Sequence, residues 1–226
     1  MSSSGNGAEG AAEADRVPVM DLREIVEREY ESGRGAGKPW HYWAVYQEFL
    51  EARRGDPLRL LELGVESGRS ARIFREYLPN ATIVGLDYHE RPERLPESVH
   101  FVRGKQQDSA ALEQAVVLGG PFDVVVDDAA HVGTMAKASH EFLYKDHVAP
   151  GGYYIFEDWG VALRKKGWAD YHPYEPPIDD GDLLPSFSYG MVGLVKQQID
   201  GLLLRGDPRA VTVRPGVVVT RKAPRR

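Results

Sequence analysis

The stretch 121–131, PFDVVVDDAAH, constrains this chain most. Residues 122–126 form a short apolar, β-branched run, which suits a strand buried on both faces. The run stops abruptly at Asp127-Asp128, and His131 follows. A second run, 153–156, ends the same way in Glu157-Asp158. Where a buried parallel strand of an open α/β sheet stops, its next residues enter the crevice at the carboxyl edge, where ligands bind. Two such strands side by side would crowd up to four carboxylates and an imidazole together. That crowding is unfavourable unless a cation sits there or some acids turn away. The residues therefore point to a hard divalent cation held by Asp128, Glu157 and Asp158, with His131 beside it as proton acceptor. Carboxylates with open positions suit Mg²⁺, whereas zinc sites favour His and Cys, and this chain has no cysteine. Asp127 is left open between the metal, the cofactor and capping of the following turn.

The rest of the chain supplies the setting for such a sheet. Apolar runs at 58–63, 82–86 and 99–102 alternate with helical periods at 69–77, 110–118 and 134–148, and a Pro150-Gly151-Gly152 turn leads to the run at 153. This alternation predicts a doubly wound parallel sheet with right-handed crossovers. Helices are predicted over 15–31, with Val19, Leu22, Ile25, Val26 and Tyr30 on one face, and over 38–50, where Trp40, Tyr42, Trp43, Tyr46 and Phe49 are read mainly as core. Residues 188–204 read as helical, and 211–214 with 217–221 as a hairpin whose Pro215-Gly216 fits a type II turn. Between them, 159–189 carries Trp159, Trp168, Tyr171, Tyr174, Phe187 and Tyr189 among Pro173, Pro176, Pro177 and Pro185, without a regular period. So long a loop in a compact domain is usually functional, and its rings favour an ordered lid or an oligomer contact.

Composition narrows the function. At 226 residues, one domain over 15–226 is the default, preceded by a disordered tail over 1–14 that lacks the basic start and apolar centre of a secretory signal. A net charge of −6 argues against a general nucleic-acid binder. No apolar run approaches membrane-spanning length. A cytoplasmic homo-oligomer, a dimer or larger, is the expectation. His89, His100, His140, His147 and His172 are read as structural or surface residues.

Glu62-Leu-Gly64-Val-Glu-Ser-Gly68 lies between the first strand and its helix, so glycines let backbone approach a ligand there. The dinucleotide spacing G-x-G-x-x-G fails, because Glu66 and Arg69 stand where glycines are needed. Asp87, at the second strand end, is placed to accept from a ribose diol. Asp108, after the third strand, could accept from an adenine amino group. A ribose, an adenine, no phosphate and acids nearby suggest S-adenosylmethionine.

On these residues the chain resembles the class I S-adenosylmethionine-dependent methyltransferases. More narrowly, it is similar to the magnesium-dependent sugar O-methyltransferases of natural-product biosynthesis, of macrocin and mycinamicin type. The cephalosporin-biosynthesis methyltransferase component is a further relative. The resemblance runs from Lys38 to Asp158 and rests on Lys38, His41-Tyr42, Tyr46, Glu62, Gly64, Gly68, Asp87, Asp108, Asp128-Ala-Ala-His131 and Glu157-Asp158. The chain departs from that pattern at Gly37, Ala129-Ala130 and Lys105-Gln106. The resemblance implies a Rossmann-like seven-stranded sheet with a C-terminal β-hairpin and an aromatic, proline-rich lid. It implies a cofactor site including Lys38, Tyr42, Glu62, Gly64, Gly68, Asp87, Asp108 and Asp127. It also implies an Asp128, Glu157 and Asp158 metal site, and His131 as base for methylating a hydroxyl of a sugar, glycoside or oligosaccharide. The competing readings are a catechol-type O-methyltransferase and a protein that binds S-adenosylmethionine without catalysis.

Overall fold

The computed structural model describes residues 20–35, 37–164, 166–171 and 190–224. The predicted tail and most of the predicted lid, with Pro173, Tyr174, Phe187 and Tyr189, lie outside the described residues, as does His172.

Seven strands form one sheet: β1 (Arg59–Leu63), β2 (Thr82–Asp87), β3 (Val99–Arg103), β4 (Phe122–Asp127), β5 (Val148–Glu157), β6 (Ala210–Arg214) and β7 (Val217–Arg221). Their order is β3-β2-β1-β4-β5-β7-β6. The first five run parallel, and β7 pairs antiparallel with both β5 and β6. The hairpin thus closes a parallel sheet with its returning strand innermost, and Gly216 takes the positive φ (78°) that its turn requires.

Helices cover both faces. On one side, α1 (Leu22–Glu31), α2 (Trp40–Leu50) and α3 (Arg69–Tyr77) pack Trp43, Tyr46, Phe74 and Tyr77 against Leu60, Ile83, Val124, Val126 and Ile155. On the other, α4 (Ser109–Gly119), α5 (Gly133–Asp146) and α7 (Gly190–Leu204) cover Leu61, Leu63, Val84, Val125, Tyr154 and Phe156. A short α6 (Val161–Arg164) follows β5. Successive strand residues point to opposite faces, so Val124 and Val126 enter one core and Val125 the other. Trp43 is fully buried; Trp43→Ala would cost about 3–5 kcal/mol. Among the described residues no helix is long and apolar enough to cross a membrane.

Three elements differ from the sequence reading. Helix α1 begins at Leu22, because Asp21 and Glu24 form a capping box; residues 15–19 lie outside the described part. Tyr30, read as part of its apolar face, is 49% exposed, and its hydroxyl donates to the Lys38 carbonyl at 2.8 Å. The Pro150-Gly151-Gly152 stretch is no separate turn but part of β5, which already pairs at Val148 with Phe122. The extra residues are absorbed by a register shift beyond Phe122, and Gly151 supplies the positive φ (78°). Helix α5 accordingly stops at Asp146 instead of 148.

Candidate active site

The pleat sorts the acids at the carboxyl edge. Leu61 and Leu63 face the α5 side, so Glu62 faces the α2 side. Ile155 and Phe156 alternate likewise, which turns Glu157 towards α2. Asp127 follows Val125 onto the α5 side, and Asp128 leaves the strand end towards α2. Three carboxylates from the ends of β1, β4 and β5 therefore converge on one buried ammonium. Lys38 Nζ donates to Asp128 Oδ2 and, at 3.0 Å, to Glu157 Oε2, and stands 3.9 Å from Glu62 Oε1.

The charges there do not balance. Burial pulls the Lys38 ammonium down, but Glu157, Asp128 and Glu62 outweigh it and its pKa is raised. Burial pushes Glu62 up to about 7, against the pull of Lys38 and the Ser70 hydroxyl. Burial likewise raises Glu157, which also accepts from the Tyr46 hydroxyl. One fixed cation serves three acids.

Beside this group lie Asp128 Oδ1, His131 Nε2 and Asp158 Oδ2. Nε2 is 3.6 Å from the first and 3.7 Å from the second of these oxygens. One ligand atom from each of the three residues lies within 4.8 Å of the others, a spacing that a metal ion can span. His131 and Asp158 both hold left-handed backbone, φ 51° and 50°, which in non-glycine residues clusters at functional sites. Asp158 is fastened by its N–H to the Gly216 carbonyl (2.7 Å) and by the Tyr42 hydroxyl, which donates to Oδ1 (2.5 Å). The turn after β4 rests on Gly64, where an added Cβ would fall 2.2 Å from the Asp128 carbonyl oxygen. Only glycine fits there, at φ 87°.

A cavity of about 680 Å³ opens at the carboxyl ends of β1, β2 and β4, well within the range for small-ligand sites. Of the residues read as functional, Lys38, Gly64, Asp87, Asp128 and His131 line it. Asp87 accepts from Val65 N and Glu66 N with Oδ2 (2.9 and 2.8 Å) and from His89 N with Oδ1 (2.9 Å), so it shapes the Gly64 turn.

The remaining candidates lie elsewhere. Tyr42 and Glu62 stand behind the wall, on Asp158 and near Lys38. Gly68 is the left-handed N-cap of α3, packed on Leu95. Glu157 faces Lys38 and Tyr46, one step from the Asp128, His131 and Asp158 group. Two further candidates lie outside the cavity wall. Asp108 caps α4, accepting from Ala110 N at 3.1 Å, and is not in the cavity wall. Asp127 is 1% exposed, accepts from Gln106 Nε2 (3.0 Å), Ser139 Oγ (3.1 Å) and Tyr154 OH (2.8 Å), and does not line the cavity. Burial raises Asp127 to about 6 despite these donors.

The wall also contains residues that the sequence reading missed: Ser67, Arg69, Tyr88, His89, Gln106 and Trp168. His89, read as structural, lies two residues after the Asp87 strand end, and that position was the available signal. Gln106 donates to Asp127 and accepts from Ala130 N at 2.8 Å, which ties the β3–α4 loop to the turn carrying His131. The wall sets Glu66, Asp87 and Asp128 against Lys38, Arg69 and Lys105. Mixed charge of this kind suits a zwitterionic ligand.

Residues 61–159 match the family model described as a methyltransferase domain. The demethylmacrocin O-methyltransferase of Streptomyces fradiae is 30% identical over 80% of this chain and 44% of its own length. The mycinamicin VI 2''-O-methyltransferase of Micromonospora griseorubida is 29% identical over 88% of this chain and 48% of its own. The solved MycE methyltransferase from the mycinamycin biosynthetic pathway, in complex with Mg, SAH and mycinamycin VI, superposes with a TM-score of 0.74. It shares 26% identity over 92% of this chain and 56% of that one. The chain spans about half the length of the relatives it matches.

Proposed function

We propose that the protein, whose residues 61–159 match a methyltransferase domain model and whose fold superposes on a solved methyltransferase, transfers a methyl group from S-adenosylmethionine to a hydroxyl of a sugar or glycoside, with Mg²⁺ assistance and His131 as general base. The observation that carries this reading is His131 Nε2 facing two carboxylate oxygens at the rim of the cavity.

The residues present fit both groups. The Gly64 turn, Asp87, Arg69 and Lys105 offer a cofactor close backbone approach, acceptors for a diol and opposite charges for a zwitterion. Asp128 and Asp158 would hold the cation, with Glu157 as third carboxylate; an under-neutralised oxygen-rich set is what hard Mg²⁺ takes. When bound, S-adenosylmethionine supplies a methyl activated by its sulfonium, and Mg²⁺ lowers the pKa of a bound hydroxyl and directs it.

The remaining work falls to the protein. His131 accepts the hydroxyl proton at Nε2, and the carboxylates of Asp128 and Asp158 stabilise the resulting imidazolium. General-base help of this kind is worth roughly 10²–10⁴-fold. The similarity to enzymes that act on macrolide sugars supports a glycoside as acceptor.

The test is calorimetric titration of the purified protein with S-adenosylhomocysteine, with and without EDTA, followed by methyl transfer onto a panel of deoxysugar macrolides by wild type and His131→Ala. Nucleoside binding that survives EDTA, with turnover lost roughly 10²–10⁴-fold in the variant, supports the proposal. Absence of nucleoside binding would sink it. Full activity in His131→Ala would remove the base, and binding without any turnover would favour a non-catalytic partner.

A further inference from the structure

The turn that carries His131 is held from two sides. Beneath it, Asp128 N donates to the Leu63 carbonyl (3.0 Å) and Ala130 N to Gln106 Oε1 (2.8 Å). These contacts end at Ala130. His131 itself is left-handed, and Val132, the N-cap of α5, offers no side-chain cap. From Val132 onward α5 supports its own backbone, but its first N–H groups need acceptors from outside.

The second hold comes from the segment after α6. Trp168 Nε1 donates to the His131 carbonyl at 3.0 Å. Asp170 Oδ2 accepts from Gly133 N at 2.5 Å, so a carboxylate distant in sequence caps α5 where the helix dipole favours negative charge. The indole lies 6.1 Å from the imidazole, tilted by 32°, and lines the same cavity. Space confirms how close the contact is. A Cβ on Gly133 would fall 2.2 Å from the Gly190 carbonyl carbon, and one on Gly190 would fall 3.1 Å from Asp170 Oδ2. The start of α7, Asp170 and the start of α5 meet at one point beside the base.

We infer that Trp168 and Asp170 are positioning residues for His131: the segment after β5 sets the base by holding the carbonyl of His131 and the N–H of Gly133. This rests on the proposal that His131 is the base. A left-handed histidine has no ladder of its own to keep it there. Removing both holds lets the peptide relax towards ordinary backbone and turns Nε2 away from Asp128 and Asp158.

The experiment uses the full chain with Trp168→Phe, which keeps a ring but loses the N–H, Asp170→Ala, and Asp170→Asn, which keeps an acceptor. Hydrogen exchange is followed for the peptide containing 128–135 and, as an internal reference, for β4. Exchange should rise in the first peptide only, in Trp168→Phe and Asp170→Ala but much less in Asp170→Asn. Affinity for S-adenosylhomocysteine should stay within about twofold, and kcat on the best acceptor of the macrolide panel should fall about tenfold to a hundredfold, as misplacement of a reacting group does.

In a His131→Ala background the same substitutions should cause no further loss of kcat, because their effect passes through that imidazole. Unchanged exchange at 128–135 overturns the inference. A loss that persists in the His131→Ala background, or that sits in acceptor KM alone, also overturns it and makes Trp168 an acceptor contact. If His131→Ala is itself fully active, the base assignment fails, which the single variant reports separately.

Discussion

Asp127 and Asp128 are adjacent in the chain and differ in almost every other respect. Asp127 points to the α5 side, fully buried, with three neutral donors from Gln106, Ser139 and Tyr154 on its oxygens. Asp128 points to the α2 side, half-buried, among Lys38, His131, Glu157 and Asp158. The first environment is satisfied by neutral hydrogen bonds and needs nothing from outside. The second has more acid than its one lysine balances. Buried polar groups completed by neutral donors are already compensated, whereas a group left short of positive charge leaves room for the proposed cation.

The sharpest way to break this contrast is Asp128→Asn. Methyl transfer should fall roughly 10³-fold, since metal assistance is worth several kcal/mol, while S-adenosylhomocysteine affinity and melting temperature change little. Calorimetry with Mg²⁺ checks that metal binding is lost. Next in size, Lys38→Met leaves Glu157 and Asp128 without their ammonium and should cost about 3–5 kcal/mol in EDTA. Adding Mg²⁺ should restore more stability to this variant than to wild type in a denaturant titration. Equal effects of Mg²⁺ on both would show that the lysine and the metal do not share these acids.

The α5 side makes its own predictions. His140 is buried against Tyr144, Tyr154 and Phe156, and burial lowers its pKa from 6.5 to about 4. The unfolded chain therefore binds the proton first as pH falls. Stability is complete above pH 6.5 and declines towards pH 4, by up to about 3 kcal/mol at 1.36 kcal/mol per unit. Thermal melts across that range should fall less steeply for His140→Phe. The smallest effect is expected from Asp127→Asn, which keeps one acceptor oxygen but turns an amide towards existing donors. It should cost about 1–2 kcal/mol, with S-adenosylhomocysteine affinity per folded molecule nearly unchanged. A large loss of affinity would mean that Asp127 belongs to the cofactor site after all.

The strands, their order of appearance and the acids at their ends were legible because period and punctuation are local. Asp127-Asp128 and Glu157-Asp158 stand out in any reading of the chain, and Pro215-Gly216 announces its turn. What the sequence could not show is which member of each pair faces which way, because that depends on partners brought from afar. Asp127 meets a loop glutamine, a helix serine and a strand tyrosine, none of which resembles a motif. The early β5 was hidden because Pro150-Gly151-Gly152 has turn chemistry while its backbone still pairs. Asp108 could not be told from a helix cap, because N-caps and ligand acids share a residue type and a place after a strand. Trp168 was one ring among many in 159–189, and only its contact with His131 distinguishes it.

The fastening of Asp158 also bears on the order in which the site is made. Its N–H is held by Gly216, and the same glycine leaves no room for a Cβ against Tyr42, which supplies the other contact. Strand β7 then covers β5 along 153–157. On the ribosome, both acid pairs and the histidine emerge well before Gly216. A nascent chain stopped ahead of Val217 carries its acids on a strand with a bare edge, and Asp158 without its backbone anchor. The candidate metal ligands are thus synthesised before the residues that fasten Asp158.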